Sequence, residues 1–269
     1  MRFVFRVDAS RRIGAGHLFR CLNLAIELKR LGNEVYFISR KYKDSFNELI
    51  KKYNFKLFEF DNFSNSVEED AIKTNKNLIK IKKPINWLVL DNYNINYHWE
   101  KHVSSNVKKI FVIDDFVGKP HYCDLILNQN IPNFKSNTKI SKNKKIHYLY
   151  GPRFALLHNN YKRLSQLKLQ NSKPIKRILI YFGANDKEGF TLKAVNVICK
   201  LNRKDLFIDV VVHKNYRNLK NTSNIKVHRD LSTLSNLIYI SDLAIGSCGS
   251  TSWERVCLGL KSINIIQAE

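Results

Sequence analysis

The stretch RFVFRVDASRRIGAGHLFRCLNLAIELKR, residues 2–30, decides the fold. It opens with an apolar strand-like run at 3–7 and turns through glycines at 14 and 16. It then enters a segment where Leu18, Cys21, Leu22, Ala25 and Leu28 recur at three- and four-residue steps. That spacing lays one apolar stripe along a helix, and Gly32 is a suitable stop. A second strand-like run, EVYFIS at 34–39, follows at once. Strand, helix and strand in this order form the unit of a parallel sheet.

Working outward, the alternation continues. DSFNELIKKYN (44–54) predicts a helix and KLFEF (56–60) a strand; a polar helix is expected over 66–81, the strand WLVLD at 87–91, a helix near 96–106, and strands KIFVID (109–114) and CDLILN (123–128). Continuous apolar strands separated by helices imply a parallel sheet covered on both faces, with its ligand crevice at the carboxyl ends of the strands. Polar, lysine-rich breaks occupy 131–147 and 166–174, with GPRFALLHNNY between them. After Pro174 the pattern restarts: RILIYFG, a helix over 188–201, LFIDVVVH, IKVHR, a helix over 231–240, LAIGS, the helix TSWERVCLGL and INIIQ. The expectation is an α/β protein of two units, residues 1–165 and 166–269, which suits 269 residues when a domain takes roughly 100 to 200.

Hydrophobic residues at 44% and charged residues at 26% fit a folded globular chain. The formal net charge of +23 raises nucleic acid, anionic lipid and phosphorylated small molecules as partners. The basic residues are scattered among Asn and Ile, so the charge is expected to attract an anionic substrate, with no nucleic-acid partner. Cys21, Cys123, Cys199, Cys248 and Cys257 are widely spaced and form no CxxC pair, which argues against a disulfide framework or zinc knuckle; most lie inside apolar stretches and read as buried thiols in a reducing compartment. No signal peptide and no apolar run of transmembrane length is present, so a cytoplasmic monomer without stable membrane insertion is expected.

Gly14 and Gly16, after a strand and before a helix, offer a tight turn, close backbone approach and unpaired helix amides, as an anion site requires. The dinucleotide fingerprint fails, because its third glycine falls on Phe19, and Arg40 and Lys41 stand where an acidic ribose partner belongs; only NADP stays formally open. His17 begins the helix at the carboxyl end of a strand, and an imidazole with its ordinary pKa near 6.5 is a competent general base. Asp8, Asp91 and Tyr93 end or follow neighbouring strands and can reach the same crevice, to orient His17 or a sugar hydroxyl; Arg20 lies one turn into the helix. Asp114 and Asp115 point to opposite faces and make a poor shared acid–base pair. His98 and His102 have the zincin spacing, but Trp99 stands where the glutamate belongs, so no metal is expected there. P-loop and GxSxG patterns are absent from the sequence. In the second half, FGAND (182–186), with Gly183 and Asn185, and GSCGSTSWE (246–254), with Gly249, Ser250 and Thr251, can present backbone amides to phosphate, and Glu254 can accept hydrogen bonds from ribose hydroxyls.

Taken together, FRVDASRRIGAGHLFR, DNY, IDDF, CDLILNQN, GPRFALL and FGAND resemble the signature segments of the UDP-sugar hydrolases of pseudaminic acid synthesis, relatives of the MurG-like glycosyltransferases, over nearly the whole chain. The resemblance implies two Rossmann-like domains in a GT-B arrangement, with catalytic and sugar-binding residues in the first and UDP-binding residues in the second. It implies metal- and cofactor-free hydrolysis of UDP-2,4-diacetamido-2,4,6-trideoxy-β-L-altropyranose, with His17 activating water for inversion at the anomeric carbon. Asp8, Gly14, Gly16, Arg20, Asp91 and Tyr93 then face the sugar, and Gly183, Asn185, Gly249, Ser250, Thr251 and Glu254 the nucleotide. The alternative is a MurG-like UDP-sugar glycosyltransferase. Two departures from the family pattern are His158, where relatives often carry arginine, and a second domain that ends at Glu269, sooner than the family's.

Overall fold

A computed structural model describes residues 1–61, 66–116, 118–130, 145–167, 174–183, 186, 188–213, 216–229, 231 and 233–266. The chain divides into two compact units, Met1–Leu156 and Leu157–Glu269. In the first, strands β1 (Arg2–Val7), β2 (Glu34–Lys41), β3 (Lys56–Asp61), β4 (Trp87–Asp91), β5 (Lys109–Ile113), β6 (Leu125–Asn128) and β7 (His147–Tyr150) pair in the order β3-β2-β1-β4-β5-β6-β7, every pair parallel. Helices α1 (Gly16–Arg30), α2 (Asn47–Lys52), α3 (Val67–Ile79) and α4 (Tyr97–Val103) cover the sheet. The chain winds from β1 outward to β3, then returns to the other side of β1 to lay down β4. This makes β1 and β4 the switch point, where adjacent loops diverge and open a crevice.

The alternation of β1 explains the two layers. Phe3, Phe5 and Val7 pack with Leu18, Leu22 and Ile50 on the face of α1 and α2, whereas Val4 packs with Ala71, Leu78, Trp99 and Val103 on the face of α3 and α4. Arg6 points to that second face with no exposed surface. A buried guanidinium needs carboxylate partners. Arg6 finds Asp8 (2.6 Å) and Asp70 of α3 (2.5 Å), while Arg40 of β2 and the Trp99 indole N–H also donate to Asp70 at 2.7 and 2.8 Å. This knot ties β1, β2, α3 and α4 together.

The second unit repeats the pattern with α5 (Asn159–Leu167), β8 (Arg177–Tyr181), α6 (Phe190–Lys200), β9 (Phe207–Val212), β10 (Ile225–Arg229), α7 (Ser235–Ile240), β11 (Leu243–Ser247), α8 (Thr251–Cys257) and β12 (Lys261–Ile265). Its parallel strands run β10-β9-β8-β11-β12, so the switch point lies between β8 and β11. Whereas the sequence suggests a division after residue 165, Tyr161 and Leu164 of α5 share a core with Leu179, Leu237 and Ile238, and α5 therefore belongs to the second unit. Strand β7 is an addition to the sequence expectation. Among the described residues, no helix is long and apolar enough to cross a membrane.

A second ionic cluster secures the loop after β5. His121 is buried between Asp114 (Nε2 to Oδ2, 3.2 Å) and Glu100 of α4 (Nδ1 to Oε1, 2.7 Å). Burial opposes its charge, but the hydrogen bonds and charges of Asp114 and Glu100 override this and push the imidazole up to about 9. A histidine raised in the folded state stabilises fully below its unfolded pKa of about 6.5, and the contribution is lost as pH rises through the folded value. The urea midpoint of the wild type should therefore exceed that of His121→Gln most at pH 6, with the gap shrinking by pH 9.5. A gap independent of pH would contradict a charged His121.

Candidate functional site

The candidate site lies at the carboxyl edge of the first sheet, at the β1/β4 switch. Beyond β1 the chain folds into a tight loop in which Gly14 donates its N–H to the Ser10 carbonyl (2.8 Å) and Ile13 donates to Ser10 Oγ (3.2 Å). Gly14 has φ +92°, a left-handed conformation that favours glycine. The loop delivers the chain into α1 at Gly16, so His17 stands in the first helical turn and Arg20 one turn later on the same side.

Both side chains converge on Asp91, the last residue of β4, which has 1% exposure. His17 Nδ1 lies 2.6 Å from Asp91 Oδ1. Arg20 forks the same carboxylate, Nε donating to Oδ2 at 2.5 Å and Nη2 to Oδ1 at 2.7 Å, and the Cys21 thiol donates to Oδ2 at 3.6 Å. Burial works against the charge of Asp91, yet His17 and Arg20 hold its carboxyl below the ordinary range. The free Nη1 of Arg20 donates to Asp115 Oδ2 at 2.7 Å. Asp115 also accepts from the Tyr93 hydroxyl and from Asn130 Nδ2. Burial first, and the bond to Asp115 next, push the Tyr93 phenol above its usual value. The Tyr93 ring meets His17 edge-on at 4.5 Å between centroids and Phe116 at 4.9 Å.

Two groups compete for Nδ1 of His17: the Asp91 carboxylate, which can only accept, at 2.6 Å, and Arg20 Nη2, which can only donate, at 3.2 Å. The shorter contact to Asp91 favours the tautomer in which Nδ1 carries the proton and donates. The lone pair of neutral His17 is then on Nε2, which makes no hydrogen bond to the described residues. A side chain still 17% exposed, with one nitrogen locked to a buried acid and the other open, is equipped to remove a proton from a hydroxyl.

Of the residues expected around the crevice, His17, Arg20, Asp91 and Tyr93 come together. Asp8 does not join them: its oxygens are taken by Arg6, the Arg40 N–H, Ser39 and Asn92, and its place is in the buried knot. Asp115 is the member that the sequence reasoning passes over. Asp114 and Asp115 do diverge, Asp114 toward His121 and the Phe116 N–H, Asp115 toward Arg20 and Tyr93. The signal for Asp115 was its position just past β5, the neighbour of β4 at the same sheet edge. His98 and His102 are exposed on α4, with Glu100 turned inward to His121. Among the described residues, no cluster of three or more His, Cys, Asp or Glu side chains is placed to hold a metal.

In the second unit, the loops after β8 and β11 flank the other switch point. Gly246 is required there, since a Cβ would fall 2.2 Å from the Tyr181 carbonyl oxygen. Arg255 ties the β11–α8 loop by donating to the Ser247 carbonyl (2.7 Å) and Ser252 Oγ (3.0 Å), across the segment that holds Gly249, Ser250 and Thr251. Glu254 has a buried oxygen, Oε2, with no hydrogen-bond partner among the described residues, and burial pushes the carboxyl up to about 7. Gly183 follows β8 with φ +89°, and Asn185 lies outside the described residues. Asp186 accepts from the Phe190 and Thr191 amides, so those two N–H groups of α6 are already engaged.

No family model matches the chain. It is 26% identical over 284 residues to an uncharacterized protein of Methanocaldococcus jannaschii, an alignment covering 100% of this chain and 56% of that protein, so the chain spans little more than half the length of that relative. It is 28% identical over 246 residues to the UDP-2,4-diacetamido-2,4,6-trideoxy-β-L-altropyranose hydrolase of Campylobacter jejuni, covering 83% of each. Among solved structures, it is similar to Acinetobacter baumannii MurG (TM-score 0.61, 12% identity, 98% of this chain and 78% of that one). It is likewise similar to the glycotransferase of kitacinnamycin (TM-score 0.65, 12% identity, 100% and 81%) and to a Rickettsia africae glycosyltransferase (TM-score 0.57, 16% identity, 99% and 80%). These likenesses establish the fold class: two parallel-sheet Rossmann-like domains of the GT-B type.

Removing one partner of a buried ion pair leaves the other uncompensated. Asp91→Asn should therefore lower unfolding free energy by about 3 kcal/mol in urea titration, because the buried Arg20 guanidinium then keeps only the part-exposed Asp115 as its counter-charge. A loss no larger than that of an exposed substitution would contradict a buried, ionised Asp91.

Proposed function

We propose that this chain cleaves the bond between the sugar and the diphosphate of a UDP-sugar, with His17 as the base that deprotonates the attacking hydroxyl. The observation that carries this is the pairing of His17 Nδ1 with buried Asp91, which leaves Nε2 as the free basic atom at a sheet switch point. Supporting it, the relative that covers 83% of this chain is named for a UDP-sugar, and the solved structures of like fold include several glycosyltransferases. A UDP leaving group needs little help from a general acid, so a single base suffices where an ordinary glycoside needs two carboxyl groups.

In this reading the first unit supplies His17, with Arg20, Asp91 and Tyr93 about it and Gly14 and Gly16 shaping the turn. The second supplies the nucleotide contacts: Gly183, Asn185, Gly249, Ser250 and Thr251 toward phosphate, and Glu254, whose Oε2 is buried without a hydrogen-bond partner among the described residues, toward ribose hydroxyls. A carboxyl raised to about 7 by burial gains from two incoming hydroxyl donors, which favour its charged form.

Two nucleophiles are open to such a base. Transfer to a sugar or other alcohol acceptor is favoured by the larger number of glycosyltransferases among the structures of like fold. Hydrolysis of UDP-2,4-diacetamido-2,4,6-trideoxy-β-L-altropyranose, with inversion, is favoured by the Campylobacter relative. One assay separates them. Incubated with that nucleotide sugar and no added metal, the purified chain should release UDP, and the product shows whether water or an added alcohol received the sugar. His17→Asn should lose at least about a hundredfold in turnover while still binding UDP, and Glu254→Gln should weaken UDP binding. Undiminished turnover in His17→Asn would reject the base, and absence of UDP release from any UDP-sugar would reject the substrate class.

A further inference from the structure

A buried carboxylate behind a catalytic imidazole helps by stabilising the imidazolium formed when the base takes its proton. Here Asp91 is compromised in that task. Arg20 forks both of its oxygens, and Oδ1, the atom that faces His17, also accepts from Arg20 Nη2 at 2.7 Å. Taken alone, Asp91 and Arg20 form a neutral pair, and a proton arriving on His17 would then meet no net negative charge. The remaining groups about the ring are few. On α1 there are Arg20 and the buried Cys21 thiol; after β4 there is the Tyr93 phenol, held by Asp115; after β5 there is Asp115 itself. Lys119 reaches the Tyr93 carbonyl at 2.9 Å and Asp114 at 3.9 Å, and Asp114 is balanced by His121.

We infer that Asp115 is a positioning residue whose carboxylate binds the outer side of the Arg20 guanidinium and so returns to His17 the negative charge that Arg20 removes from Asp91. This inference rests on His17 being the base of the proposed reaction. The three contacts of Asp115 suit the role, since Arg20 Nη1, the Tyr93 hydroxyl and Asn130 Nδ2 converge on it from α1, the β4 loop and the β6 loop. With Asp115 present, the cluster of Asp91, Arg20 and Asp115 carries one net negative charge, and protonation of His17 brings it to neutrality. With Asp115→Asn the cluster is neutral beforehand, and protonation leaves an uncompensated cation. A full charge this near, with solvent on one side, biases proton uptake by a factor on the order of ten.

The test compares pH profiles. In Asp115→Asn, kcat/KM for UDP-sugar cleavage should fall about threefold or more on its alkaline plateau, because a weaker base is a poorer catalyst, and the acid limb should move to lower pH. Asp115→Glu, which keeps the charge, should restore the wild-type shape. Tyr93→Phe removes a hydrogen bond to Asp115 without altering charge, so its profile should keep the same acid limb at whatever height. A purely structural Asp115 would instead scale the whole profile evenly. A second readout needs no substrate: diethyl pyrocarbonate acylates neutral imidazole, and peptide mass spectrometry reports the rate at His17. At pH 6 that rate should rise several-fold, by at most about ten, in Asp115→Asn, because a larger share of the ring is then neutral. An unchanged acylation rate, with the fold intact by circular dichroism, overturns the inference even if the proposed reaction is confirmed. A wild type without cleavage activity but with the expected acylation difference overturns the reaction and leaves the charge role of Asp115 supported.

Discussion

The organisation of the first unit follows from one carboxylate that has almost no contact with solvent. Asp91 closes β4 beneath the first turn of α1, and a charge so placed must be met by donors from the protein. Among the described residues, its side-chain partners His17, Arg20 and Cys21 all come from the start of α1, and a helix presents residues three apart on one side. His17 and Arg20 have that separation. The glycine at 14 lets the chain turn sharply enough to begin α1 over the end of β4. The demand of one buried charge thus accounts for the ring's tautomer, the direction of its free nitrogen and the start of the helix.

The same demand recurs elsewhere with other outcomes. In Arg6, Asp8, Asp70 and Arg40, two guanidinium groups and two carboxylates satisfy one another within the layer between β1 and α3, and nothing is left over for chemistry. In Glu100, His121 and Asp114, one imidazolium serves two carboxylates and pins the loop that bears Asp115 and Phe116. The Asp91 cluster joins full pairing behind the ring to an open nitrogen at the carboxyl edge of the sheet, whereas the like cluster of the second unit, in which His228 and Arg177 both pair with buried Asp209, spans β8 to β10. In the second unit the balance is reversed, for Glu254 keeps a buried oxygen without a described partner, a condition that a ligand with hydroxyl donors would relieve.

Much of this was legible from residue order. Alternating apolar strands and amphipathic helices led to two parallel-sheet units, and the glycine turn marked His17, Arg20, Asp91 and Tyr93 as neighbours because strand ends in such a sheet share an edge. Asp8 and Asp91 looked alike as acids ending apolar strands. What separates them is Arg6, two residues before Asp8 and on the same face of β1, where a charge within an apolar strand must seek the nearest carboxylate. Asp115 was obscured for the opposite reason: the side-chain alternation that parts it from Asp114 says nothing of an arginine arriving from another element. The sequence of the loop after β8 offers its amides to phosphate without showing that Asp186 folds back to accept from the Phe190 and Thr191 N–H groups of α6. Strand β7 follows a lysine-rich run and has only four residues, too few to show a period.

The tautomer of His17 is the most direct test of this account. In protein labelled with nitrogen-15 at histidine, two-bond couplings distinguish a ring protonated at Nδ1 from one protonated at Nε2, and the signals of His17 are those missing from His17→Asn. At a pH where the ring is neutral, the expected result is a proton on Nδ1, facing Asp91, with Nε2 bare. A neutral ring protonated at Nε2 would mean that Asp91 does not hold it as described, and the assignment of His17 as a base would fall with it.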